Sequence, residues 1–223
     1  MTLEVAADVA PLLRLGVVRA QPVAVRPAGQ DLISEMEGLA RDLAARHAGT
    51  PPGEVEGLRP ARTLYRAFGV DPTQTRPSSE ALFRRAVGGK PLPRVNNAVD
   101  VCNLCSLRYL LPIGMYDLGK LEGDEVLLRR GGTTESYPGI RKDEVRLHGR
   151  PVLCDAVGPF GNPTSDSLRT SVGEETRSLW MVIFAPAAYS RGRMAEHVED
   201  ARATLARFTA PDGETVTTDG EVR

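Results

Sequence analysis

The stretch VNNAVDVCNLCSLRYLLPIGMYDLGKLEG, from Val95 to Gly123, constrains the fold more than any other part of the chain. On a helix from Asn97 to Leu110, the residues Val99, Val101, Cys102, Leu104, Cys105, Leu107 and Leu110 spread round nearly the whole circumference. That is the pattern of a helix buried on most sides. Asn96, Asp100 and Asn103 interrupt it on one shared face. A buried amide or carboxylate costs a few kcal/mol unless it is paired. The stripe therefore either braces neighbouring backbone or lines a pocket.

A helix of this kind needs partners on several sides, and the flanking sequence supplies them. From Gln30 to His47 the apolar positions Leu32, Ile33, Met36, Leu39, Ala40, Leu43 and Ala44 follow the helical period, and Gly49 and Pro51 stop it. Shorter helices are expected over Ala61 to Phe68 and after Ser78 or Ser79, and a long one over Ser190 to Phe208. Residues 1 to 28 read as one or two short strands at a sheet edge. Further strands are expected at Glu125 to Arg129, Ser136 to Ile140, Glu144 to His148 and Pro151 to Asp155. SLWMVIF, Ser178 to Phe184, is apolar without interruption and reads as a buried central strand. Pro112 and Gly114 are expected to break the chain after the central helix, and Gly158 to Asn162 to form an irregular loop. Residues 1–208 are expected to form one domain, and 209–223, poor in apolar residues, a mobile tail.

With 223 residues, 41% of them hydrophobic, the chain can bury one proper core. No apolar run approaches the roughly 18 residues a membrane span needs. The opening MTLEVAADVAPLLRLG carries acids where a signal peptide carries bases, so a cytoplasmic protein without membrane association is expected. Three cysteines form no disulfide framework. The formal net charge of −1 gives no global field for nucleic acid. Between Leu58 and Arg94, however, eight basic residues face only Asp71 and Glu80. Arg62, Arg66, Arg76, Arg84 and Arg85 in that segment are the candidate RNA contacts, against the alternative that acids of the same fold neutralise them.

Chemistry by the common motifs is not supported. Cys102 and Cys105 form a CxxC with no second pair, inside an apolar helix, and read as small buried residues. No GxSxG, Walker or GxGxxG pattern occurs, and no metal or cofactor is expected. Two polar constellations remain. One is Asn96, Asn97, Asp100, Asn103 and Ser106; the other is Ser165, Asp166, Arg169, Thr170, Ser171, Glu174, Glu175 and Thr176. Such groups suit recognition of an amine and ribose hydroxyls or the positioning of a water, and they equally suit loop bracing and turns.

NAVDVCNLCSLRYLLPIGMYDLGKLEG, then EVLLRRGG, then SVGEETRSLWMVIFAP, resembles the tRNA-binding B3/B4 domain of the phenylalanyl-tRNA synthetase beta subunit. The most specific pieces are VDVCN and the run from Pro112 to Asp117, and the resemblance covers residues 60–186. It implies a free-standing α+β domain of mixed β-sheets packed with flanking helices. In the synthetase the domain is an editing module that hydrolyses wrongly attached tyrosine from tRNA. The resemblance thus implies tRNA or aminoacyl-tRNA as partner and hydrolysis of an amino-acid ester as activity.

The candidate catalytic residues are Asn97, Asn103, Thr170, Glu174 and Glu175, supplying oxyanion donors or orienting a water. Asn96, Asp100, Tyr116, Asp117 and Ser171 are the candidate substrate contacts. One departure matters: where the synthetase pattern has a histidine within PLHAFD, this chain has Gly114 in PIGMYD. The alternative classes are a non-catalytic binding module for tRNA or a small amino-acid-like ligand, and a partner-protein adaptor. Nothing in the sequence fixes the oligomeric state.

Overall fold

Every residue of Leu179–Pro186 is buried, and the fold closes around this strand. The computed structural model describes residues 1–140 and 142–223. In chain order they form β1 (Thr2–Val5), β2 (Leu13–Gln21), α1 (Gln30–Arg46), α2 (Arg59–Ala67), α3 (Ser78–Val87), α4 (Asn97–Tyr109), β3 (Ile113–Asp117), β4 (Glu125–Arg130), β5 (Ser136–Gly139), β6 (Lys142–Arg146), β7 (Pro151–Cys154), β8 (Pro159–Gly161), β9 (Leu179–Pro186), α5 (Arg191–Thr209) and β10 (Thr217–Val222).

One sheet has the order β10-β2-β9-β3, antiparallel throughout, and a second has the order β1-β4-β7-β8 with β1 and β4 parallel. A β5-β6 ribbon is paired with neither sheet along its length and packs on β7 through Tyr137, Val145, Val152 and Cys154. This is an α+β architecture with mixed sheets. Side chains of β9 alternate between two cores, which explains why the run is apolar throughout. Leu179, Met181, Ile183 and Ala185 pack with α1, α4 and α5, whereas Trp180, Val182 and Phe184 pack with Tyr116, Phe160 and the second sheet.

The central helix is as the sequence requires, buried on most sides, and it ends where Leu110 turns left-handed at φ 57°. That conformation costs a leucine roughly 1 kcal/mol, and Leu110 packs against the apolar cluster that includes Leu43, Leu58, Leu82 and Phe83.

Three segments differ from expectation. Ile113–Asp117 is a strand, since Pro112 lies just outside it and accepts from the Phe184 N–H, while Gly114 tolerates the ladder. Pro159–Gly161 adds a short strand within the expected loop. The expected mobile tail is instead strand β10, paired with β2 from Thr217↔Gln21 to Val222↔Gly16. Main-chain hydrogen bonds hold an edge strand, so few apolar side chains are needed to place it. β2 is consequently an interior strand rather than an edge.

Candidate functional site

α4 begins at Asn97 because Asn96 caps it, its side chain accepting from the Val99 N–H at 2.9 Å. Asn97 is buried, and its amide is fully engaged by backbone. Its Oδ1 accepts from the N–H groups of Arg26 and Ala98, and its Nδ2 donates to the carbonyls of Ala24 and Phe208. One side chain thereby ties α4 to the segment after β2 and to the end of α5. Asp100 is buried, with Oδ1 accepting from the Val95 N–H and Oδ2 unpartnered among the described residues. Burial pushes its carboxyl above the usual range, against the Val95 N–H and the Arg94 charge. Asn103 is half-buried and its side chain makes no hydrogen bond among the described residues.

Asp117 gathers the second constellation. Its Oδ1 accepts from the Gly119 N–H at 2.9 Å and its Oδ2 from the Thr176 hydroxyl at 2.6 Å, while its own N–H donates to the Thr170 carbonyl. Lys120 bridges to the Ser171 carbonyl and to Glu175 Oε1 at 2.8 and 2.7 Å. Ser171 Oγ donates back to Leu168 O, and Glu174 is exposed without a side-chain partner among the described residues. Thr170 is fully buried with its hydroxyl unpartnered among the described residues. No hydrogen bond or ion pair among the described residues links this cluster to the α4 stripe.

Tyr116 is fully buried and donates to Asp166 Oδ1 at 2.8 Å. Its ring lies over Gly114, where an added Cβ would come within 2.0 Å of the Tyr116 oxygen, and over Gly161, where the distance would be 2.2 Å. Both positions must lack a side chain while Tyr116 occupies this place. Two further tyrosines reach the same loop. Tyr137 donates to Ser165 O and accepts from Asn162 Nδ2, and Tyr65 bonds to Pro163 O and Thr164 Oγ1. Burial pushes the Asp166 carboxyl up to about 7, although the Tyr116 hydroxyl and nearby N–H groups pull the other way. The cavity beside this loop, lined by Tyr65, Asn162 and Thr164, measures about 10 Å³, room for no more than one water. Tyr65, Tyr137 and Asn162 join the site without having been singled out by the sequence. The only sequence signal for them is the polar run after Gly161.

The five candidate arginines divide. Arg62 grips the buried Glu80 through two bonds of 2.8 Å, Arg84 adds a third at 2.9 Å, and Arg85 donates to the Pro91 carbonyl. Burial pushes the Glu80 carboxyl up, and the two guanidiniums outweigh it, so it stays below the usual range. These three arginines serve the fold. Arg66 and Arg76 are exposed and have no side-chain hydrogen bond or ion pair among the described residues. The same is true of Arg59, Arg150 and Arg193, of which all but Arg150 are exposed. Arg59, Thr63 and Arg66 share the exposed face of α2.

A family model for the B3/4 domain matches residues 60–214. The chain belongs to this family. No curated protein matches it. Among solved structures, an N-terminal fragment of the phenylalanyl-tRNA synthetase beta subunit from Pyrococcus horikoshii is similar at 14% identity and a TM-score of 0.44. The comparison covers all of this chain and 50% of that fragment.

The B3/4 match runs past the sequence resemblance and takes in α5. Within this B3/4 domain, Cys102 and Cys105 are free and buried, and burial pushes both thiols up, Cys105 to about 11. Among the described residues no group of three His, Cys, Asp or Glu side chains is placed to hold a metal. No helix among them is long and apolar enough to cross a membrane.

Proposed function

We propose that this B3/4 domain is a cytoplasmic RNA-binding module that docks tRNA, charged or uncharged, without hydrolysing it. The observation that carries the reading is the exposed face of α2, where Arg59 and Arg66 make no side-chain hydrogen bond or ion pair among the described residues while the adjacent Arg62 is neutralised by Glu80. A guanidinium left in water gains little for the fold and is available to a phosphate. Membership of the B3/4 family supports that class of partner. Catalysis is disfavoured by where the candidate residues lie. Asn97 has no free polar atom, Glu175 is paired with Lys120, and Tyr116 fills the space above Gly114.

The test is tRNA binding by the wild type and by Arg59→Ser/Arg66→Ser/Arg76→Ser, all three sites being exposed. The expected result is salt-sensitive binding whose log-log slope falls by roughly 2 to 3 in the variant, at about 0.7 to 0.9 for each phosphate that the protein no longer neutralises. Equal affinities for the two proteins would show that the α2 face takes no part in binding.

A second reading, ester hydrolysis, is favoured by one observation. Asp166 is held near neutrality beside a phenol, and a group in that range suits general base catalysis. It requires Tyr116 to leave its slot, and it predicts faster decay of an aminoacyl-tRNA ester in the presence of the protein.

A further inference from the structure

The groove where α2, the end of α4 and the start of α5 meet has a volume of about 480 Å³ and is lined by Arg59, Thr63, Tyr109, Tyr189 and Arg193 among others. That volume is in the range of small-ligand sites. Arg59 and Arg193 come from different helices and line the same groove, and neither guanidinium has a partner among the described residues. Two unpaired like charges facing one concavity repel each other and are relieved by a shared anion. Arg193 sits in the first turn of α5, a helix of 19 residues capped by Ser190, so the helix end adds to the same positive field. Glu56 on the rim is the acid of this lining, leaving a net positive groove.

The aromatic wall is fixed in place. The Tyr189 hydroxyl is bonded to His197 Nε2 at 2.8 Å, and the His197 ring stacks on Tyr109 with centroids 4.2 Å apart. Tyr109 is anchored in turn by its hydroxyl, which donates to Asp200 Oδ2 at 2.6 Å. Burial, reinforced by the Arg193 charge and opposed by those of Asp200 and Glu196, holds His197 below its usual pKa, which disfavours a third cation in this wall. Paired cations beside a rigid, half-buried tyrosine make the two-part recognition of a nucleotide: phosphate to guanidinium, base to ring.

We propose that this groove binds one nucleotide, its phosphate between Arg59 and Arg193 and its base against Tyr189. The proposal deepens the RNA-binding reading, which it rests on only for the source of the nucleotide, a strand end or loop of tRNA. The groove itself is tested with adenosine 5′-monophosphate, inorganic phosphate and tRNA on the wild type, Arg59→Ser/Arg193→Ser, Tyr189→Ala and Tyr189→Phe, each checked for an unchanged circular dichroism spectrum.

The expected result is saturable binding of the nucleotide, weakened about tenfold or more in the double arginine variant, as for charge-assisted bonds. Tyr189→Ala is expected to weaken the nucleotide but not inorganic phosphate, and Tyr189→Phe to restore it. Nucleotide binding without tRNA binding supports the groove and overturns the RNA reading. No saturable nucleotide binding by the wild type, or nucleotide binding unchanged in Arg59→Ser/Arg193→Ser, overturns the groove. tRNA binding unchanged in that variant while nucleotide binding is lost overturns tRNA as the source of the nucleotide and leaves RNA binding by the rest of the α2 face intact.

Discussion

The Tyr116 hydroxyl meets Asp166 Oδ1 at 2.8 Å, and the ring that carries it fills the space in front of Gly114 and Gly161. Glycine at 114, where the synthetase pattern has a histidine, is therefore matched by its neighbour two residues on. Side chains at 114 and 116 project to the same face of β3, so only one of the two positions can hold a large group.

Gly114→Ala is expected to destabilise the protein by about 1–3 kcal/mol, the usual cost of overpacking a closed core. Urea unfolding checks it. Gly114→His is expected to be worse, and Tyr116→Ala added to it to restore part of the stability. A Gly114→Ala variant as stable as wild type would show that Tyr116 has another place to go.

Asp166 makes stability depend on pH in a stated direction. Its carboxyl rises from an ordinary 3.8 to about 7 in the folded protein, so the folded state holds the proton more tightly than the unfolded chain. The resulting stabilisation is complete below about pH 4 and is lost as pH rises through about 7. Relative to Asp166→Asn, the wild type is expected to lose stability progressively across that window. Thermal unfolding of both proteins from pH 4 to 8 measures the difference and cancels the contributions of other carboxylates. A constant gap would place the Asp166 titration elsewhere.

Removing the buried Glu80 carboxylate leaves Arg62, itself largely buried, without its partner. Glu80→Ala is expected to cost about 3–5 kcal/mol, as for other broken buried pairs. Arg62→Ser is expected to cost more than Arg84→Ser, since the side chain of Arg84 is 40% exposed and that of Arg62 12%. Chemical denaturation ranks the three. It also identifies any weakening of RNA binding in Arg62 variants as a folding effect.

Strand β10 predicts slow amide hydrogen exchange over 217–222, alternating with the β2 ladder. Gly220 packs under α5, where a Cβ would lie 2.4 Å from Val198 Cγ1, so Gly220→Val is expected to release the strand and raise exchange there. Fast exchange of 217–222 in the wild type would return the segment to a mobile tail.

Much of the framework is legible in the sequence because period and burial agree. β9 announces itself by an unbroken apolar run, and α4 by apolar residues round its whole surface. β3 and β10 are not legible, because what places them is main-chain pairing with β9 and β2, to which TTDGEV contributes almost no apolar signal. At the candidate site, the α4 stripe could be recognised as polar and buried, but its partners lie far away in sequence. Asn97 bonds to Ala24, Arg26 and Phe208, and no local pattern reveals that its amide is used up. The same holds for charge. Arg62 and Arg66 look alike as letters, and only the position of Glu80 separates a structural arginine from one with no ion pair among the described residues.

The most direct measurement follows one labelled tRNA, uncharged and ester-charged, titrated with the protein across a salt series while ester decay is recorded in the same samples. A docking module that does not hydrolyse binds both forms with similar affinity, weakening steeply with salt, and leaves ester decay at the rate of buffer alone. Salt-independent or absent binding, or decay accelerated in proportion to protein, contradicts it.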